Sequence, residues 1–179
     1  MAWRTRGSRT VYENRWIHVR EDDVLGPDGE GIYGVVRMQH PAVFVVALDD
    51  EDRVCLIALD RYTTGRSIEV PAGGTDGEDP LVAAQRELRE ETGLEAARWE
   101  HLGTMNALNG IADAPEHVFL ACGARLATDA DATRAEEGID EVRWVPFAEA
   151  LGMIASGGLT DGETIAALAY AGIRLGRFV

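Results

Sequence analysis

The sequence predicts an α/β (α+β) chain, and three observations carry that expectation. Two short apolar runs of strand type, Ala42 to Leu48 and Val54 to Leu59, flank a polar turn at Asp49 to Asp52. A stretch with clear helix start and stop signals, Asp79 to Gly93, follows a glycine-rich loop. A last helical stretch opens on Thr160-x-x-Glu163, the pattern of a capping box, and runs through Leu175. With 179 residues, 46% of them hydrophobic, the chain suits one domain with a small appendage and can bury a substantial core.

Taken in order, residues 1–10 (MAWRTRGSRT) read as a flexible tail, because no hydrophobic segment follows the basic residues as it would in a signal peptide. Residues 11–39 read as a small N-terminal β subdomain. In it Trp16, His18 and Arg20 alternate with Ile17 and Val19, a turn cluster spans Gly26 to Gly31, and Ile32 to Met38 returns as the partner strand. Residues 40–179 form the main domain. Its hairpin, Ala42 to Leu59, leads into the loop-like RYTTGR, which carries Arg61, and then into a short strand, Ser67 to Val70. Beyond the central helix, Trp99 to Met105 and Glu116 to Leu126 read as strands. The segment between them, Asn106 to Pro115, is too long for a tight hairpin. Thr128 to Asp140 is polar and acidic and reads as a solvated connector. Glu141 to Val145 is the last strand. A helix follows from Phe147 to Ala155 and is broken by Gly157-Gly158. The final helix has an alanine-rich face (Ala166, Ala167, Ala169, Ala171) that permits close packing.

The central helix carries the chemistry. Asp79 is placed as its N-cap, Pro80 sits where a missing N–H costs nothing, and Gly93 suits a left-handed C-terminal cap. Leu81, Ala84 and Leu88 make a core-facing stripe, while Glu87, Glu90 and Glu91 fall at i, i+3 and i+4 on another face. On an exposed helix such a triplet is only a solvated acidic face, with a cost of about 0.2–0.5 kcal/mol per pair. In a partly dry cleft, two carboxylates repel by about 3 kcal/mol at an effective dielectric of 20, and a hard dication removes that penalty. Gly73, Gly74 and Gly77 just before the helix allow close backbone approach.

Charge and cysteine usage exclude some partners. Seventeen basic against 31 acidic residues give a net charge of −14, which argues against a nucleic-acid polymer or an anionic membrane surface. No apolar run approaches the ~20 residues of a membrane span. Cys55 and Cys122 sit in apolar strand-like runs and read as reduced core residues, which points to a cytoplasmic protein.

The run from Glu78 to Leu94 resembles the Nudix box, G-x5-E-x7-R-E-U-x-E-E-x-G-U with U aliphatic. Glu78, Arg86, Glu87, Leu88, Glu90, Glu91, Gly93 and Leu94 all match in spacing. The first glycine of the pattern falls on Ala72. The nearest glycine, Gly73, leaves four residues before Glu78, so the loop is one residue shorter than the family norm. The preceding Glu69-Val-Pro-Ala-Gly resembles the ADP-ribose pyrophosphatase branch, although Asn109-Gly110-Ile111 stands where that branch tends to carry Ser-Pro-Gly.

The resemblance implies a Nudix fold, a mixed β-sheet sandwiched between helices, with the N-terminal β subdomain mediating a homodimer. It implies Mg²⁺ (or Mn²⁺) held by Glu87, Glu90, Glu91 and the carbonyl of Ala72, with Glu90 a ligand or proton acceptor. Arg86 would orient these carboxylates with Glu78 as partner, and Glu136 or Glu137 would activate water. Arg61 would contact substrate phosphate and Trp16 would stack on adenine; as residue types the first reads also as an exposed surface arginine, and the second as an aromatic in core packing or a dimer contact. Glu116 is either a substrate contact or a strand-edge charge. The activity implied is hydrolysis of ADP-ribose to AMP and ribose 5-phosphate. The alternatives are another small nucleotide substrate (NADH, another sugar nucleotide, a nucleoside triphosphate) or a module that binds sugar nucleotides without cleaving them.

Overall fold

The computed structural model describes residues 3–128 and 138–178 and divides the chain into two units. One comprises residues 1–41 with 106–115, and the other comprises 42–105 with 116–179.

The smaller unit is a four-stranded sheet in the order β1-β2-β3-β9, formed by β1 (Arg4–Glu13), β2 (Ile17–Gly26), β3 (Gly29–Met38) and β9 (Ala112–Asp113). Residues 4–10 are therefore strand rather than tail, since β1 begins at Arg4 and pairs antiparallel with β2. Hydrophobic alternation does not reveal this strand, because its residues are nearly all exposed. It is held by the backbone ladder and by charge. Arg9 lies directly opposite Glu21 and donates to its carboxylate at 2.5 and 3.0 Å, an arrangement that favours this register. The long segment 106–115 also has structure. Ala112 and Asp113 pair parallel with Val36 and Arg37, and the Tyr33 hydroxyl donates to the Gly110 carbonyl.

The larger unit is built on a mixed sheet in the order β11-β5-β4-β10-β8. Its strands are β4 (Ala42–Leu48), β5 (Arg53–Arg61), β8 (Leu94–Asn106), β10 (Pro115–Leu126) and β11 (Ile139–Pro146). Two short strands attach to it, β6 (Gly65–Glu69) beside β5 and β7 (Ala72–Gly74) beside β4. The central pair, β4 and β10, is parallel, and β4 is apolar on both faces, as a doubly covered strand requires. Val43, Val45 and Phe119 face one helix, α1 (Pro80–Thr92). Val46, Val118 and Leu120 face two others, α2 (Phe147–Ser156) and α3 (Gly162–Arg174). Ala83 and Ala84, both fully buried, let α1 approach the sheet closely. Full burial of Leu88 contributes about 1.5–3 kcal/mol.

Two local expectations change. Leu81 is exposed rather than part of the core stripe, because the first turn of α1 borders an open depression beside edge strand β8. The buried face begins at Ala83. The cap of α3 is Asp161, one residue later than the capping-box reading, and its carboxylate accepts the Thr164 N–H at 2.7 Å. Aspartate is the stronger N-cap and takes the position from Thr160. Both cysteines are free, and among the described residues no helix is long and apolar enough to cross a membrane.

Candidate active site

The site is built on α1 and the segment running into it. Asp79 caps the helix through a 2.9 Å bond from the Leu81 N–H, and Gly93 closes it at φ 73°. These ends fix which residues lie toward β7. Glu87 and Glu91 fall on the buried side and Glu90 is more exposed. The short β7 pairs with β4, with Gly73 opposite Val43 and Ala72 opposite Phe44, so its backbone is pinned. The Ala72 N–H donates to Glu91 Oε2 at 2.9 Å. Gly73 runs so close to Glu87 that a Cβ there would sit 2.2 Å from the carboxylate. Glycine is thus required by close approach of backbone to an acidic side chain.

Arg86 ties this cluster together. Its Nε donates to Glu78 Oε2 at 2.9 Å and its Nη2 to the Gly74 carbonyl at 2.9 Å. Its Nη1 reaches both Glu87 Oε1 (2.8 Å) and Glu90 Oε2 (2.9 Å). One planar guanidinium therefore joins the loop to three carboxylates, which a lysine could not do. Partial burial works against its charge, but the bonds to Glu78 and Glu90 and the charge of Glu87 outweigh that, and its pKa is raised.

A second group of charges lies where β5, β6, β10 and the start of α3 supply residues. Arg61 at the end of β5 makes a bidentate pair with buried Glu69 of β6, at 3.0 and 2.5 Å. The bond to Glu69 raises the Arg61 pKa, and the charges of Glu91 and Asp161 add to it. Glu116, on β10, is 8% exposed, and its Oε2 has no hydrogen-bond partner among the described residues. Burial, with Glu163 and Asp161 nearby, pushes its carboxyl up to about 7. Glu163 is raised as well, by burial and by Asp161.

The larger unit thus contains Glu87, Glu90, Glu91, Arg86, Ala72, Arg61 and Glu116 of the expected residues. Trp16 belongs to the smaller unit. It is 59% exposed with the Arg15 guanidinium 4.0 Å above its ring, so it does not pack in a core. Glu136 and Glu137 lie outside the described residues. Sequence reasoning missed the Asp161/Glu163 pair and its proximity to Glu116. The two carboxylates at the start of the last helix were a signal, but Glu163 read only as part of a capping box and Asp161 was given no role. It also left Arg61 without a partner, although Glu69 stands eight residues away.

Among the described residues, no three His, Cys, Asp or Glu side chains are gathered in a metal-holding group. Glu87 and Glu90 turn toward Arg86, and Glu91 toward the Ala72 N–H. The donor chemistry nevertheless fits a hard dication. All the candidate donors are oxygens, two of the carboxylates are buried, and the Gly73 cradle keeps the space beside Glu87 clear of a side chain.

Comparison with known proteins places this geometry in a lineage. The NUDIX domain family model matches residues 38–168, and a model described as the nucleoside diphosphate sugar hydrolase N-terminal domain matches 3–36. A CMP-5'-(N-acetyl-N-hydroxy-3-aminopropyl)phosphonate hydrolase of Streptomyces rubellomurinus is 36% identical over 97% of this chain and 84% of its own. An ADP-ribose pyrophosphatase of Mycobacterium tuberculosis is 34% identical over 94% of this chain and 80% of its own. A crystal structure of an ADP compounds hydrolase superposes with a TM-score of 0.80 over 98% of this chain and 95% of the other, and at 19% identity that likeness is one of fold. Box, fold and family model agree: the chain belongs to the Nudix family and is a pyrophosphohydrolase.

Proposed function

We propose that the protein hydrolyses the pyrophosphate linkage of a nucleoside diphosphate derivative in a Mg²⁺-dependent reaction, with ADP-ribose, cleaved to AMP and ribose 5-phosphate, as its first substrate. The observation that carries this reading is the pair of buried carboxylates, Glu87 and Glu91, set against a pinned backbone at Ala72 and Gly73. A diphosphate repels an attacking hydroxide, and a bound dication supplies the charge that offsets this repulsion and acidifies water. Glu87, Glu91 and the Ala72 carbonyl would hold that ion, and Glu90 would serve as a further ligand or as a proton acceptor. Arg86 keeps Glu87 and Glu90 oriented by charge-assisted bonds. Arg61 presents its guanidinium to substrate phosphate while Glu69 fixes its plane. Glu116 accepts or donates to a sugar hydroxyl, both of which a carboxyl titrating near neutrality can do. Glu136 or Glu137 acts as general base. Trp16 stacks on adenine, a role its exposed ring and the neighbouring Arg15 support. The protein works as a homodimer in the cytoplasm. Its large exposed apolar side chains on β1 to β3 (Val11, Tyr12, Ile32) and its free thiols favour both statements.

The relative from Streptomyces keeps a second reading in view, because its named substrate is a CMP conjugate. The same hydrolytic centre would then act on a cytidine rather than an adenosine derivative. A substrate panel with and without Mg²⁺, with products resolved by chromatography, tests both. AMP from ADP-ribose, abolished by chelator, is the expected result. CMP released preferentially from CMP conjugates would favour the second reading. Tight binding without turnover would overturn the enzymatic one. Trp16→Ala is expected to raise KM for adenine substrates more than it lowers kcat, and an unchanged KM removes Trp16 from the site.

A further inference from the structure

On the opposite face of β10 from Glu116, two histidines that the hydrolytic reading does not use stand side by side. His101 on β8 and His117 on the neighbouring β10 have ring centres 5.4 Å apart, with planes inclined at 52°. They border an open depression of about 390 Å³ with Trp99, Phe119 and the start of α1, Asp79 to Leu81. Phe119 packs 5.0 Å from the His101 ring and limits where that ring can turn. On the other side, Thr104 Oγ1 lies 3.1 Å from His117 Nδ1.

We propose that His101 and His117 form a binding site for a borderline transition dication of the Zn²⁺ class, separate from the glutamate centre. Three features of the pair and its surroundings carry this. Two imidazoles on one tetrahedral zinc, each with a Zn–N distance of about 2.1 Å, have ring centres about 5 Å apart, close to the separation seen here. The Thr104 hydroxyl can accept from His117 Nδ1, which leaves the lone pair on Nε2. That outer partner is what fixes a ligand histidine's tautomer and orientation. Asp79, whose carboxylate accepts the Leu81 N–H and offsets the positive N-terminal end of α1, lines the same depression. Because no third His, Cys, Asp or Glu joins the pair among the described residues, water completes the shell. Such a two-nitrogen site prefers Zn²⁺ or Ni²⁺ to Mg²⁺, which favours oxygen donors. The proposal stands independently of the substrate and of the ion used in hydrolysis.

The test is a Zn²⁺ titration of the full chain with Mg²⁺ in large excess, followed through the imidazole resonances of its four histidines. His101 and His117 are expected to shift together and saturate at a common concentration, while His18 and His40 stay in place. His101→Gln should weaken the response of His117 more than about tenfold, and His117→Gln should do the same to His101. Thr104→Val, which keeps both rings, should weaken it by about 10-fold or more. Each variant's resonance dispersion reports separately that it is folded. Rings that do not move, or a His117 response unchanged by His101→Gln, would reduce the pair to two imidazoles packed against Phe119 and overturn the site.

Discussion

The larger unit holds two acidic clusters, and they solve the same electrostatic problem in opposite ways. Around α1, Glu78, Glu87 and Glu90 share one guanidinium and Glu91 takes a backbone N–H, so each carboxylate has a donor that holds it in place. Around the start of α3, Glu116, Asp161 and Glu163 crowd together without such a donor for Glu116, and the answer is a retained proton. Arg61 and Glu69 lie between them, with Arg61 sensing both Glu91 and Asp161. The difference separates two roles. Carboxylates held and aimed by donors are suited to a dication, whereas a carboxyl poised near neutrality is suited to hydroxyl groups or to proton exchange.

The largest effect should come from removing charge in the α1 cluster. Glu91→Gln keeps the shape and an oxygen for the Ala72 N–H, so circular dichroism and Tm should hardly move while turnover falls by several orders of magnitude. Near-wild-type turnover would mean that the cluster is not catalytic, and the contrast with the α3 cluster would lose its meaning. Gly73→Ala tests the cradle. The added methyl would meet Glu87 at 2.2 Å on a backbone pinned by β4, so the carboxylate must move. Stability should drop by about 1–3 kcal/mol, and activity should fall together with divalent-metal affinity, as calorimetric titration with Mn²⁺ would show. Arg86→Lys keeps the charge but loses the fork that reaches Glu78, Glu87 and Glu90 together. A loss of roughly 10–100-fold in metal affinity is expected, with the substrate's own binding less affected.

The α1 cluster was the more legible of the two. Its residues fall within one helical window, where spacing alone brings side chains to one face, and capping residues mark both ends. The sheet was readable for a related reason, since β4 and β5 bury continuous apolar runs. What the sequence concealed was assembled over long separations or held by polar forces. Glu116 meets Glu163 only because β10 runs parallel to β4 and α3 packs on the same face. The strand β1 is nearly all exposed, so no apolar period betrays it, and the opposed Arg9 and Glu21 become meaningful only once the register is known. Leu81 obeyed the helical period yet stands outside the core, because periodicity does not say where along a helix its partner surface ends.

The smallest effect concerns the proton on the α3 side. With a folded pKa of about 7 against 4.5 for the free group, Glu116 is protonated in both states below pH 4.5 and favours neither. As pH rises from 4.5 through 7, the unfolded chain releases its proton while the folded one retains it, so folding stability falls across this window and the loss is complete above it. Desolvation is the main cause, with Glu163 and Asp161 of α3 adding repulsion. Arg61, the cation on which the charge of Asp161 acts, is committed to Glu69 of β6. Glu116→Gln cannot ionise and can donate to those carboxylates. It should match wild type near pH 4.5 and be more stable by about 1–2 kcal/mol near pH 8, an amount discounted for the water that still reaches the group. Chemical denaturation of the metal-free protein at several pH values would measure this. Parallel stability curves for the two proteins would show that Glu116 ionises as freely as a surface glutamate, and that the two clusters handle their charge alike.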